Sequence, residues 1–385
     1  MTRTRSLPIS LPVFIVLAAV VAIAVFGLTR WTLQSDANTL PPLDVAGDSA
    51  AAAPGALNAA KLYEQRVRTV VAISSAMGNS SPITGTGVVV DAEQGLIVTA
   101  SHVIKDYKSG TLASSITVKF KQGDQVRAQR VAIDQNNDLA ILKINPAEIE
   151  GGLVAAPIGD SNAVITGAEV AAIGGPFNYE FSMQPGTVSY VHRAVESRIN
   201  NAWDIPDTIQ VDGAGINKGS SGGPLFNARG EVIGIMQQIP TTNGDSAGLS
   251  FAVASSIVKR ALDYWAETGK TNISYAYTGM TAKSVTPQLD KQAQLGTTVG
   301  AVLQTSQGAA QAAGLRGGTR QVNSIAGSVL LGDVIVELAG QKIRSNEDLA
   351  RVAGLLIPGR AVDVSYVRAG ERHDATLTPT EAQLF

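Results

Sequence analysis

"NKGSSGGPLF", residues 217–226, sets two adjacent serines in a glycine-flanked loop that runs straight into an apolar strand. Such a segment is either a flexible turn or a frame that presents one hydroxyl, and by itself it does not say which serine would be presented. An oxyanion site needs backbone N–H groups aimed at one spot. Gly219, Gly222 and Gly223 can adopt the unusual dihedrals this requires without a Cβ clash. An isolated Gly/Ser loop is usually only a turn, so the surroundings decide. From about Val67 to Ala254 short β-branched runs recur between turn signals: "TVVAIS", "TGVVV", "LIVTA", "ITVKF", "LAILKI", "EVAAIG" and "EVIGIM". Strands at this spacing, without alternating helices, predict an all-β barrel or sandwich.

A serine hydroxyl becomes a useful nucleophile only when an imidazole accepts its proton and a carboxylate holds that imidazole in one tautomer. His102 stands in "IVTASHVI", where an apolar run ends, and Asp138 in "NNDLAILKI", just before another. Taken singly, a histidine at a strand end is commonly structural and an aspartate before a strand commonly a turn residue. Their joint occurrence with the serine loop, in the order His, Asp, Ser, makes them candidates for one site. Competing chemistries are poorly supplied. The chain has no cysteine, which excludes disulfides, thiolate nucleophiles and cysteine zinc sites. Three histidines without an HExxH pattern support no histidine-rich metal centre, and a formal net charge of -2 provides no basic stripe for nucleic acid.

At 385 residues the chain exceeds what one core usually organises. "LPVFIVLAAVVAIAVFGL", residues 11–28, is uncharged, follows Arg3 and Arg5, and is near the length needed to cross a bilayer. It predicts a retained anchor over residues 1–33 with the rest of the chain outside the cytoplasm; a cleaved signal peptide is the rival reading. An Ala/Pro-rich tether follows over 34–60. "SSIVKRALDYWAETG", residues 255–269, predicts a helix with Ser255 as a possible cap, Ile257, Ala261, Leu262 and Trp265 on its apolar face and Gly269 as its stop. Beyond Lys270 come short strands and one strong helix in "SNEDLARVAGLLIPG", capped by Ser345 or Asn346. The expected domains are therefore 61–269 and 270–380.

"TASHVI", "NNDLAILKI" and "INKGSSGGPLF" resemble the three catalytic blocks of the HtrA/Deg serine proteases, trypsin-like double β-barrels followed by one or two PDZ domains. The likeness continues through "GTGVVV", "AAIGGPF", "GTVS" and "LSFAVASSIV" and runs from about residue 65 to about residue 380. It implies a mainly β fold: a chymotrypsin-like double barrel, then a small α/β PDZ domain. The family motif Gly-Asn-Ser-Gly-Gly-Pro aligns Ser221 with the nucleophile and Ser220 with the asparagine. By the same resemblance His102 is the general base and then acid, Asp138 its orienting carboxylate, and the N–H groups of Gly219 and Ser221 the oxyanion hole. Ser220 in place of asparagine and Lys218 in place of proline imply a more mobile loop or a less well-formed resting state.

The resemblance assigns Leu249, Ser250 and Phe251 to the pocket for the residue before the cut, with a preference for small or medium aliphatic side chains. Tyr277, Thr278, Gly279 and Met280 would form the PDZ loop that receives an apolar carboxyl terminus, beside a groove walled by the helix near 346–356. The connection "TRQVNSIAGSV" is longer than the family minimum. No cofactor or metal is implied, and the family assembles as trimers. An anchor with one PDZ domain resembles the DegS-type architecture. The implied protein is an inner-membrane, extracytoplasmic endopeptidase of protein quality control or envelope stress signalling, acting on unfolded or regulatory proteins. A catalytically silent chaperone or PDZ scaffold is the alternative.

Overall fold

A computed structural model describes residues 57–78, 80–175, 179–196, 204–213, 219–237, 249–324 and 327–382. The expected anchor at 1–33 and nearly all of the expected tether lie outside the described residues. Among the described residues no helix is long and apolar enough to cross a membrane. The chain is already helical from Ala59, just inside the stretch read as tether. Helix α1 (Ala59–Arg66) is capped by Asn58, whose side chain accepts from the Lys61 N–H at 3.0 Å. Its Tyr63 hydroxyl donates to Phe181 O and its Arg66 Nε to Gly230 O, fastening it to distant loops.

The β-branched runs form two closed six-stranded barrels. The first contains β1 (Val70–Met77), β2 (Ser80–Asp91) and β3 (Leu96–Ala100); a two-residue ribbon, β4 (Lys105–Asp106) with β5 (Thr111–Leu112), interrupts the sequence before β6 (Ser115–Phe120), β7 (Gln125–Asp134) and β8 (Leu139–Lys143). Its order is β1-β2-β3-β8-β7-β6, closed by β1 against β6. The second is built from β9 (Glu169–Gly174), β10 (Ser182–Glu196), β11 (Asp204–Asp212), β12 (Pro224–Asn227), β13 (Val232–Gln237) and β14 (Leu249–Ala254), in the order β10-β11-β14-β13-β12-β9. β3 and β13 are buried along their whole lengths, as strands read when both faces are covered. Val70, Val88 and Val98 of the first barrel share one apolar cluster with Ile173, Phe226, Ile235 and Val253 of the second. The site is built on that seam.

Helix α2 (Ser255–Thr268) ends on Gly269 in the left-handed region, as expected. Its start differs from the sequence reading. Ser255 is the first helical residue and not the cap; its hydroxyl donates to Gly159 O at 3.0 Å and accepts from Ser161 N at 3.1 Å, holding a neighbouring turn. The buried face is also rotated, centred on Ile257, Val258, Ala261 and Tyr264, with Leu262 and Trp265 only partly buried. Burial of Arg260 on that face explains why a hydrophobic count misplaced it.

The remaining strands are β15 (Ala276–Tyr277), β16 (Met280–Ser284), β17 (Ala301–Ser306), β18 (Arg320–Ser324), β19 (Gly327–Leu331), β20 (Val334–Leu338), β21 (Gln341–Lys342), β22 (Val362–Arg368), β23 (Glu371–Leu377) and β24 (Thr380–Glu381). β16-β17-β20-β22-β23 make one sheet with β21 on β20, and β15 pairs with β24. The long connection is a hairpin, β18 with β19. Helices α3 (Pro287–Ala293), α4 (Gly308–Ala312) and α5 (Asn346–Gly354) complete the module. Ser345 caps α5, accepting from Asp348 N at 3.2 Å. Leu349, Val352 and Leu356 enter the core, Leu356 from just beyond the last helical residue.

Candidate active site

Strand register brings His102 and Asp138 together. β3 and β8 run antiparallel with Ala100 opposite Leu139, so the residues just beyond those ends, Ser101 and Asp138, meet across the ladder. Ser101 N donates to Asp138 O at 3.0 Å. One 3-10 turn, Ser101–Val103, then swings the imidazole over the carboxylate. Gly85 makes room for that turn, because a Cβ there would lie 2.4 Å from Val103 Cγ2. Asp138 takes φ +53°, a left-handed conformation that aspartate tolerates better than most residues.

The Asp138 carboxylate is nearly saturated with donors. Oδ1 accepts from Ser101 Oγ at 2.6 Å and from His102 N at 2.9 Å, and Oδ2 lies 2.6 Å from His102 Nδ1. With a carboxylate on that side, Nδ1 carries the ring proton and Nε2 is left as the acceptor. Burial is the largest single influence on His102 and opposes its charged form. The charge and hydrogen bond of Asp138 together outweigh it and hold the imidazole above its usual value. Gln237 Nε2 donates to Asp138 O at 2.9 Å, tying the second barrel to the same residue.

Ser221 arrives from the second barrel, just ahead of β12. Gly219 and Gly222 take φ +100° and +85°. A Cβ on Gly222 would lie 2.2 Å from Thr99 Oγ1, 2.3 Å from Thr86 O and 2.7 Å from Ala100 N. Only glycine lets this loop press against β2 and β3 so near His102. The loop is pinned there: Thr86 N donates to Ser221 O at 2.9 Å, Thr86 Oγ1 to Gly219 O at 2.7 Å, and Gly222 N to Met236 O at 2.8 Å. Ser221 is 2% exposed and Ser220 5%. Neither hydroxyl has a hydrogen-bond partner among the described residues, so no hydrogen bond joins Ser221 Oγ to His102. The Gly219 N–H belongs to a peptide shared with Lys218, outside the described residues. A cavity of about 270 Å³ opens beside Gly219, with the Lys119–Glu180 ion pair, 2.5 Å long, among its walls.

Of the expected pocket residues, Ser250 is buried and Phe251 half-buried on β14, opposite Val211 and Gln210. The Leu249 side chain lies outside the described residues. Tyr277, Thr278, Gly279 and Met280 are consecutive, running from the last residue of β15 to the first of β16 in the carboxyl-terminal module. Gly279 at φ +77° packs so closely that a Cβ would meet Gln307 O at 1.9 Å. Gln307 N donates to Gly279 O and Ala310 N to Thr278 O, both at 2.9 Å. Sequence reading missed Thr86, Ser101 and Gln237, whose roles exist only across strands. It also did not single out His192, Asp207 and Ser256, a second trio. There Ser256 Oγ and His192 Nδ1 both bind the buried Asp207, at 3.1 and 3.0 Å, and the serine faces the carboxylate instead of the ring. That geometry activates no hydroxyl.

A family model described as a trypsin-like peptidase domain matches residues 85–235. A probable periplasmic serine endoprotease, DegP-like, of Halomonas elongata is 32% identical over 296 residues, 76% of this chain and 56% of that protein. Its counterpart in Brucella suis is 31% identical over 304 residues, 78% of this chain and 53% of that protein. The chain thus spans about half the length of these curated relatives. The solved structure of the HtrA-type protease AlgW with a tripeptide superposes with a TM-score of 0.61 at 26% identity, covering 84% of this chain and 97% of that one.

Proposed function

Because the chain belongs to the HtrA family of trypsin-like serine proteases, we propose that it is a serine endopeptidase that cuts unfolded or regulatory proteins, with Ser221, His102 and Asp138 carrying the chemistry. The observation that carries this reading is the His102 Nδ1 to Asp138 Oδ2 contact of 2.6 Å at the rim of a seam where a glycine-framed serine is pinned. Ser221 Oγ attacks the carbonyl carbon while His102 Nε2 takes its proton and Asp138 stabilises the imidazolium. The carbonyl electron pair moves to oxygen, toward the N–H groups of Gly219 and Ser221. Collapse breaks the C–N bond, the imidazolium gives its proton to the leaving amine, and water repeats the cycle on the acyl-enzyme. Ser250 and Phe251 favour an aliphatic residue before the cut.

The unpartnered Ser221 hydroxyl supports a resting form in which base and nucleophile are not yet engaged. In our reading the carboxyl-terminal module is a PDZ domain. Its Tyr277–Met280 loop receives apolar carboxyl termini and shifts the chain toward the engaged form. That the HtrA-type protease AlgW was solved with a tripeptide supports peptide binding in general. The periplasmic naming of the relatives supports an extracytoplasmic location; in our reading residues 11–28 are the membrane anchor and a trimer is the working assembly. The test incubates the protein with casein, with and without apolar carboxyl-terminal peptides, beside Ser221→Ala. Cleavage that disappears in Ser221→Ala and rises with peptide is the expected result. No cleavage under either condition, with suppression of client aggregation instead, would replace this reading by that of a silent chaperone.

A further inference from the structure

The triad residues do not account for everything that touches Asp138. Ser101 is fully buried, and its Oγ donates to Asp138 Oδ1 at 2.6 Å. On its other side Ser101 Oγ lies 2.7 Å from the Tyr107 hydroxyl. A serine has one proton, and here it is spent on the carboxylate, so the phenol must donate to the serine. Lys105 steadies this arrangement from the same turn. Its Nζ stands 4.9 Å above the Tyr107 ring and donates to Gln135 Oε1 at 3.0 Å, reaching the turn that carries Asp138.

We propose that Ser101 and Tyr107 are positioning residues of the catalytic centre, a directed hydroxyl relay that fixes the Asp138 carboxylate against His102. The proposal rests on the triad reading given above. Asp138 occupies left-handed backbone, and its Oδ2 can stay on the imidazole only if Oδ1 is tethered. Oδ1 has two donors, His102 N and Ser101 Oγ, and only the second comes from a side chain. Hydrogen bonds to an ionised acceptor are the stronger class, and a donor that itself accepts one is polarised in the same direction. Burial pushes the Tyr107 phenol well up, against the opposing pull of its Ser101 hydrogen bond. It therefore remains a donor throughout the working range. The charged groups facing the relay are His102 and Lys105 beside it and Asp134 and Asp138 across it.

The test compares wild type, Ser101→Ala, Tyr107→Phe and the double variant of the full chain on a peptide substrate, with Ser221→Ala as the blank. Ser101→Ala should lower kcat about tenfold at unchanged KM. Its acid limb should move down toward the ordinary imidazole value as the carboxylate loosens. Tyr107→Phe, which keeps the ring under Lys105, should lose less and should lose nothing more in the Ser101→Ala background. If Ser101→Ala fails to fold, Tyr107→Phe carries the test alone through its acid limb. Titration of the His102 ring, one of only three histidines, reads the same contact without needing turnover. Limbs and ring titrations unmoved in every variant, or losses that simply add, would overturn the proposal. A chain with no Ser221-dependent cleavage would defeat the triad reading, while the ring titration still decides the relay.

Discussion

At the scale of the residue, His102 in its proposed role of general base sets the pH response. Its folded value lies above the ordinary 6.5 because Asp138 outweighs burial. A base must be neutral, so kcat/KM should fall as pH drops through a value above 6.5. The stability contributed by the pair has the opposite sense: present below the unfolded value, it is lost as pH rises through the folded one. Asp138→Asn should move the acid limb down and lower kcat by about ten-thousand-fold, measured as a pH–rate profile. Gly222→Ala tests the seam. With φ +85° and no space for a Cβ against Thr99 and Thr86, it should cost about 2–4 kcal/mol in chemical denaturation, and an unchanged midpoint would contradict the packing described. The serine, histidine and aspartate proposed for the site stood out in the sequence because each lies in a distinctive local block. Ser101, Thr86 and Gln237 were not, because their partners lie 37, 133 and 99 residues away and no local pattern marks such a contact.

At the scale of the element, the short β-branched runs marked seven of the twelve barrel strands, whereas in α2 the start at Ser255 was misread and the buried Arg260 was not singled out, for one reason. Both are polar residues whose partners come from other elements. Arg260 is buried, donates through Nε to Leu356 O at 3.1 Å and through Nη2 to Ser274 O, and stacks on Tyr275 with 4.8 Å to the ring centroid. It is also the cation that draws down the Asp134 carboxyl, which burial, the larger influence, pushes up. Arg260→Met should therefore cost about 3–5 kcal/mol by leaving Asp134 without that nearby cation and two carbonyls without the guanidinium donors, read in urea unfolding. At α5, Ser345→Ala should cost about 1 kcal/mol and leave cleavage of casein unchanged. The rotation of the α2 face was hidden from periodicity, since it depends on the acceptors that neighbouring elements offer to Arg260; the β18–β19 hairpin packs on β17 and α3 of its own module.

At the scale of the whole molecule, α5 has two neighbours at once. It lies against β16 on one side. On the other, Arg351 Nη1 donates to Asn162 Oδ1 at 3.0 Å, and Gly354 packs so tightly that a Cβ would lie 2.6 Å from Pro206 Cγ. A ligand that spreads the space between β16 and α5 must press on the second barrel. Arg351→Ala should keep basal cleavage and lose about fivefold of the stimulation by carboxyl-terminal peptides, read as the ratio of rates with and without peptide. Undiminished stimulation would mean that the signal takes another route. The stretch after α2 has a further consequence. Ile133 N donates to Thr271 O and Ile273 N to Ile133 O, each at 2.9 Å, while the Tyr275 hydroxyl reaches Asp134 and Asn137 beneath the turn that holds Asp138. What reads as a domain boundary in the sequence is thus bridged to β7 of the first barrel. A protease excised at residue 270 would be a damaged vessel and not a freed enzyme, and its silence would mimic autoinhibition. Exchange of carboxyl-terminal modules between such proteins has to splice beyond Tyr275 to leave the contacts of the first barrel whole.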